Sequence, residues 1–333
     1  MSSEELETLL DRALQARQGL IDPRHESAFR LFNGFLEGCP ELAIDLYAAT
    51  AVLHNYAEAP ASGEAAVQAA QVFLLARLPW LRAMLVKARN SPSAAERNGR
   101  LVHGTQPDRK VREAGTWYAL DLTLHRDASL YLDSRGLRAW AKASLAGRSV
   151  LNTFAYTGSL GTAALAGGAR RVLQLDRNRR FLNLAKTSYT LNGFPISKDD
   201  FLVGDFWPLA GRLRRAKASF DCVFLDPPFF SATGSGVLDL AQDSARLINK
   251  VRPLVADGGW LVAVNNALYV SGREYLAALE GLCADGYLAV EALIPVPEDF
   301  TGYAATRRGA PVTDPAPFNH ATKIAVLRVR RKS

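Results

Sequence analysis

From residue 148 onward the chain alternates between apolar, β-branched runs and amphipathic stretches, and this alternation restricts the fold more than any other feature. Ser149-Val-Leu-Asn-Thr-Phe reads as a strand, followed by a glycine-bearing turn and a helix over Leu160–Ala166. Arg171-Val-Leu-Gln-Leu-Asp is a second strand with a helix over Arg179–Asn192, and Asp200-Phe-Leu-Val-Gly is a third strand. Phe220-Asp-Cys-Val-Phe-Leu-Asp is a fourth, almost continuously apolar, as a strand covered on both faces must be. A helix over Leu238–Val255, the strand Gly259-Trp-Leu-Val-Ala-Val, a helix over Arg273–Ala284 and strands near Tyr287–Pro295 and Lys323–Arg330 complete the series. Strands alternating with helices predict an open α/β, Rossmann-like, mostly parallel seven-stranded sheet wound on both sides. The last two strands lack a helical crossover and are expected to be an antiparallel pair.

The 147 residues before this region are organised differently. Apolar positions at helical spacing (Leu6, Leu9, Leu10, Ala13, Leu14) predict an amphipathic helix over residues 4–19. Residues 42–54 read as strand. Residues 63–89 read as a long helical stretch with a kink or boundary at Pro79. Asn90-Ser-Pro-Ser-Ala-Ala-Glu-Arg-Asn-Gly is rich in breakers and predicts a loop. Short strands are expected at 101–103, 116–124 and 129–132. A chain of 333 residues exceeds what one core supports comfortably. The expected division is a smaller N-terminal helical or α+β domain over 1–110, a β-hairpin linker region over 111–147 and a catalytic domain over 148–333.

Composition narrows the setting. The longest apolar runs fall short of a membrane span, and the acidic start Met1-Ser-Ser-Glu-Glu-Leu-Glu lacks a signal-peptide pattern, so a cytoplasmic protein without membrane association is expected. Cys39, Cys222 and Cys283 are far apart, show no metal-ligand spacing and read as reduced thiols, with no metal site expected. The net charge of +7 suits a polyanionic partner. Arg170, Arg171, Arg177, Arg179 and Arg180 form one basic cluster, Arg212, Arg214, Arg215 and Lys217 a second, and Arg328, Arg330, Arg331 and Lys332 a third. Each reads equally as a solvated face.

Ligands of open α/β sheets bind beyond the carboxyl ends of the strands, where strand order reverses. Four segments fall at such ends. In Ala155-Tyr-Thr-Gly-Ser-Leu-Gly, Gly158 permits close backbone approach and the following helix offers free N–H groups. The turn is not Gly-x-Gly-x-x-Gly, which argues against a dinucleotide and an oxidoreductase. Asp176, ending the second strand, can accept both hydroxyls of a ribose and so indicates an adenosine-bearing ligand. Asp205-Phe206 could hold the amino group and face of an adenine. Asp226-Pro227-Pro228-Phe229 is the sharpest segment: the prolines fix the backbone and leave carbonyl acceptors, Asp226 adds a carboxylate, and Phe229 can stack on a planar base. Methyl transfer from an activated sulfonium needs mainly positioning and charge placement, whereas carbon-5 of cytosine needs a cysteine nucleophile.

These segments resemble a known family. Leu130-Tyr-Leu-Asp-Ser-Arg, Val150-Leu-Asn-Thr-Phe-Ala-Tyr-Thr-Gly-Ser, Gln174-Leu-Asp, Leu191-Asn-Gly, Phe220-Asp-Cys-Val-Phe-Leu-Asp-Pro-Pro-Phe-Phe-Ser and Val264-Asn-Asn occur in the order seen in class I methyltransferases of large-subunit ribosomal RNA. The branch is that of the cytosine-C5 and guanine-N7 enzymes. Residues 25–47 resemble the family's small domain. The resemblance implies the class I methyltransferase fold and S-adenosyl-L-methionine as cofactor. It implies donor contacts from Asp133, Arg135, Asn152, Phe154, Tyr156, Thr157, Gly158, Asp176, Arg177, Asp205, Phe206 and Asp226, and a target base at Asp226, Pro227, Pro228 and Phe229. Where cytosine-C5 members carry a cysteine, this chain has Asn265-Asn266, similar to the guanine-N7 branch, so transfer to a base nitrogen is expected. Residues 1–24 are too few for the family's RNA-binding module of the PUA type. Ribosomal RNA is the expected partner, with a small-molecule or protein acceptor as the alternative. The sequence leaves a monomer or a homodimer open.

Overall fold

The computed structural model describes residues 1–233 and 236–331. Lys332, at the end of the third basic cluster, lies outside them. The chain forms two compact units: Met1–Leu132 with Pro297–Pro311, and Asp133–Val296 with Val312–Ser333.

The first unit is built on a five-stranded sheet in the order β1-β2-β3-β4-β5. Helix α1 (Ser3–Ala16) opens with a capping box in which Ser2 and Glu5 satisfy each other's backbone N–H groups. Strand β1 (Ala28–Asn33) runs into the one-turn helix α2 (Gly34–Glu37). Strands β2 (Leu42–Tyr47) and β3 (Thr50–Asn55) form a tight antiparallel pair. Helix α3 (Glu64–Arg77) crosses over to β4 (Ala83–Ala88), which lies parallel to β3. A one-turn helix α4 (Ala94–Asn98) precedes β5 (Arg100–His103), and β6 (Lys110–Glu113) and β7 (Thr116–Ala119) form a separate hairpin. Leu6, Leu9 and Leu10 of α1 and Val67, Phe73 and Leu74 of α3 pack on Phe29, Leu31, Ile44, Leu53 and Met84.

Several expectations are corrected here. The helix expected over 63–89 ends at Arg77, and its second half is the strand β4, every residue of which is buried. A strand covered on both faces loses its two-residue period and looks like any other apolar run. Residues 129–132 are not a strand; they are held irregularly, with the Tyr47 hydroxyl donating to the Leu130 carbonyl. Strand β1 has no counterpart among the expected elements. The contacts divide the chain at Leu132 rather than at 110 and 147, and return Pro297–Pro311 to the first unit. There Arg17 pairs with Glu37 and also donates to the Asp299 carbonyl, and the Asn33 amide donates to the Phe300 carbonyl.

The second unit begins with helix α5 (Arg135–Ser144) and carries a seven-stranded sheet in the order β10-β9-β8-β11-β14-β16-β15. In chain order its elements are β8 (Ser149–Thr153), α6 (Ser159–Ala166), β9 (Arg171–Asp176), α7 (Arg179–Leu191), β10 (Phe201–Val203), α8 (Phe206–Arg215) and β11 (Phe220–Leu225). A hairpin, β12 (Phe230–Thr233) with β13 (Gly236–Asp239), has no counterpart among the expected elements and precedes α9 (Leu240–Val251), the helix expected over Leu238–Val255. Strand β14 (Val255–Asn265), α10 (Gly272–Cys283), β15 (Leu288–Ile294) and β16 (Lys323–Val329) follow. Every neighbouring pair is parallel except those made by β16, which runs against both β14 and β15. The chain starts at β8, moves outward through β9 and β10, and then resumes on the other side at β11. Strand order therefore reverses between β8 and β11, the position where such sheets bind ligands. Leu225 pairs with Thr153, so Asp226 and Phe154 leave the sheet at one level.

Candidate active site

The turn after β8 is held in an uncommon backbone conformation. Phe154 and Tyr156 have φ of 52° and 51°, and Gly158 has 73°. For bulky L-residues such angles cost on the order of 1–3 kcal/mol each and persist only where neighbours enforce them. The enforcing contacts are present. The Ala155 N–H donates to the Leu175 carbonyl at 2.8 Å, and the Tyr156 N–H donates to Asp176 Oδ2 at 2.8 Å. Beneath the turn, Asn152 Nδ2 donates to Gln174 Oε1 at 2.8 Å, and Gln174 Nε2 donates to the Gly158 carbonyl at 3.2 Å and to the Tyr189 hydroxyl at 3.1 Å. A Cβ on Gly158 would meet Ala185 Cβ at 2.5 Å, so only glycine fits. Asn152, expected at the ligand, is instead sealed inside the sheet at 1% exposure, where it supports the turn from below. Thr157 is also buried.

Three carboxyl groups gather at the ends of β9 and β11. Asp176 takes N–H groups from Tyr156 and Asn178, one on each oxygen, yet burial still raises its pKa above the usual carboxylate value. Arg177 beside it is exposed. Asp226 is pushed up to about 7, first by burial and then by the carboxylate of Asp133. Asp133 in turn accepts from the Thr322 hydroxyl at 2.9 Å, and Arg135 opens α5 two residues later. Asp205 caps α8 by accepting the Trp207 N–H at 2.9 Å. Phe206 lies in the core with its ring stacked on Phe154, centroids 4.6 Å apart, so the half-buried Phe154 is the more accessible ring.

After β11, Pro227 is buried, Pro228 is exposed, and Phe229 and Phe230 are 44% and 60% exposed. After β14, Asn265 is buried and accepts the Ala267 N–H, while Asn266 Oδ1 is buried without a partner among the described residues. Lys323, opposite Asn265 in the sheet, is buried; its ammonium donates to the carbonyls of Ala267 and Ala321, and burial lowers its pKa to about 8. Sequence reasoning missed Gln174, Thr322 and Lys323. For Gln174 and Lys323 the available signal was a polar residue in an otherwise apolar strand; Thr322, just before β16, carried none. Cys222 lies in the interior of β11, where burial pushes its thiol up. Among the described residues no group of His, Cys, Asp and Glu is arranged to hold a metal.

Two partly buried carboxyls held above their usual pKa, Asp176 and Asp226, the latter with Asp133 beside it, leave acceptor capacity for hydroxyl donors and for positive charge. A cationic ligand bearing a ribose suits that capacity. Comparison with known proteins agrees: residues 81–302 match the family model described as S-adenosylmethionine-dependent methyltransferase. The chain belongs to this family. It is an enzyme of methyl transfer and its cofactor is S-adenosyl-L-methionine. Among methyltransferases of known sequence, it is 29% identical over 84% of its length to ribosomal RNA large subunit methyltransferase I of Aeromonas salmonicida, spanning 70% of that protein. It is 30% identical over 79% of its length to ribosomal RNA large subunit methyltransferase K/L of Shewanella amazonensis, of which it spans only 37%. Among solved structures, SMU.776 complexed with SAH superposes with a TM-score of 0.84 at 20% identity, covering 99% of this chain and 82% of that one. This likeness establishes the fold, a class I methyltransferase sheet. Among the described residues no helix is long and apolar enough to cross a membrane.

Proposed function

We propose that this methyltransferase modifies a nitrogen of a base in ribosomal RNA. The observation that carries the reading is Asp226-Pro227-Pro228-Phe229 at the switch point, with an exposed ring beside a carboxyl raised to about 7. The names of the relatives from Aeromonas and Shewanella supply the substrate class. When bound, S-adenosylmethionine supplies a methyl group already activated by its sulfonium. Asp176 has acceptor capacity left on both oxygens for ribose hydroxyls. Phe154, Tyr156, Thr157 and Gly158 form the wall above it, Asp205 closes the adenine end with Phe206 packed behind Phe154, and Asp133, Arg135 and Arg177 flank the entrance. The Asp226 carboxyl and the Pro227 carbonyl accept N–H groups of the target base, and Phe229 stacks on its face. The unpartnered Asn266 Oδ1 is a further acceptor for that base. With Asn265-Asn266 where the thiol would stand and Cys222 sealed in the sheet, neither position offers a thiol for attack on a pyrimidine ring. A cytoplasmic location fits this reading.

The test is methylation of deproteinised large-subunit RNA from cells lacking the protein, with nucleoside mass mapping of the product. Wild-type protein should restore a methylated base, and Asp226→Ala should lower transfer by at least about a hundredfold while thermal unfolding is retained. Transfer to a small molecule or a protein, with none to RNA, would overturn the acceptor assignment.

A further inference from the structure

The first unit carries an aromatic and basic corner remote in sequence from the carboxyl cluster. We infer that this corner is a docking surface for a single-stranded or looped RNA segment, with a base stacking on Phe35 and phosphates held by Arg307 and Arg308. The inference rests on RNA being the substrate.

The surface is built rather than incidental. Phe35 sits in α2 at the end of the edge strand β1 and is 46% exposed. The turn beneath it is rigid: a Cβ on Gly34 would meet the Cys39 carbonyl oxygen at 1.9 Å. The Phe35 ring lies edge-on to Tyr56, centroids 4.8 Å apart, and the Arg89 guanidinium lies 5.6 Å from the Tyr56 ring centre. The segment bearing the two arginines is fastened to this turn, because the N–H groups of Arg308 and Gly309 both donate to the Leu36 carbonyl, at 2.7 and 2.9 Å. The Arg308 stem passes Gly38, with Cδ 3.2 Å from where a Cβ would stand.

The buried acids of this corner are engaged by partners other than Arg307 and Arg308. Glu37, the acid of the turn, is buried and engaged by Arg17, by the Asn33 N–H at 2.7 Å and by the Thr306 hydroxyl. Asp299 accepts the Arg30 N–H at 2.9 Å. Arg307 and Arg308 are exposed and make no ion pair among the described residues. A lone exposed ring is ordinary. An exposed ring on a turn to which the backbone of two exposed arginines is fastened has the two components of single-strand recognition, a stacking face and phosphate-matching guanidiniums. A protein partner would call for a wider apolar patch than Phe35 on a turn joined to an arginine-bearing segment.

The experiment uses the full chain and fluorescence anisotropy with deproteinised large-subunit RNA fragments across a salt series. The Arg307→Ala/Arg308→Ala double variant should bind about tenfold more weakly at 0.1 M salt, and its log–log salt slope should flatten by about 1.5. Phe35→Ala should weaken binding at least about fivefold, and Phe35→Trp should bind like wild type. In methylation assays KM for RNA should rise while kcat at saturating RNA and the affinity for S-adenosylmethionine stay unchanged. Variants that bind RNA with wild-type affinity and slope would overturn the docking surface, leave the proposed reaction standing and point to a protein partner. Wild-type protein that binds no RNA would overturn both.

Discussion

In the proposed reaction Asp226 ties stability to activity. Its carboxyl moves from an ordinary 3.8 in the unfolded chain to about 7 in the folded one. Between those values the folded state binds the extra proton, so stability falls as pH rises from about 4 through about 7. Asp226→Asn removes the charge that burial and Asp133 oppose. The substitution should raise the melting temperature at pH 8, leave it nearly unchanged at pH 4, and abolish transfer. The expected gain at pH 8 is on the order of 1–2 kcal/mol, below the full shift because the carboxyl retains some solvent. Thermal scans over a pH series check this; an equal effect at both pH values would show that the carboxyl is not held protonated. The position of Asp226 at a strand end was legible from the sequence, but its raised pKa was not. That shift arises first from burial and then from Asp133, which is 93 residues away in the chain, and both exist only in the fold.

At the scale of elements, the turn between β8 and α6 depends on a polar layer in β8 and β9. Asn152 and Gln174 are adjacent strand positions that support the Gly158 carbonyl from inside the sheet. Gly158→Ala places a methyl against Ala185 and Gln174 at a φ of 73°, so the turn must shift or the helix α7 must give way. We expect a loss of about 1–3 kcal/mol in stability and at least a tenfold weaker affinity for S-adenosylmethionine, measured by thermal unfolding and calorimetry. Unchanged affinity would show that this turn does not bear on the cofactor. The parallel strands and their helices were legible because their apolar runs are bounded by turn residues. Strand β4 was not, since burial on both faces erases the two-residue period. The hairpin β12–β13 was missed although Gly234-Ser235 between its strands is a dipeptide that hairpins favour, because each strand is only four residues long.

At the scale of the whole molecule, the first unit is discontinuous: it needs Pro297–Pro311 to complete it. Arg17 and Glu37, both almost fully buried, pair at 2.9 Å where that segment closes on β1 and α2. Arg17→Met leaves the Glu37 carboxylate buried without its counter-charge, at a cost of about 3–5 kcal/mol. Calorimetry of the full chain should show earlier unfolding of the first unit, and an unchanged trace would mean that the pair is dispensable. By itself the sequence determined the local matters: which stretches are strands of a parallel sheet, which turn ends them, and which residue types stand at those turns. These follow from periodicity and backbone chemistry within a few residues. Tertiary structure alone decided which distant residues meet: Asp133 with Asp226, Thr322 with Asp133, Lys323 with the turn after β14, and Arg308 with Leu36. Such pairings arise when separate segments bury one another's polar groups, and burial is a property of the packed chain rather than of any stretch of it.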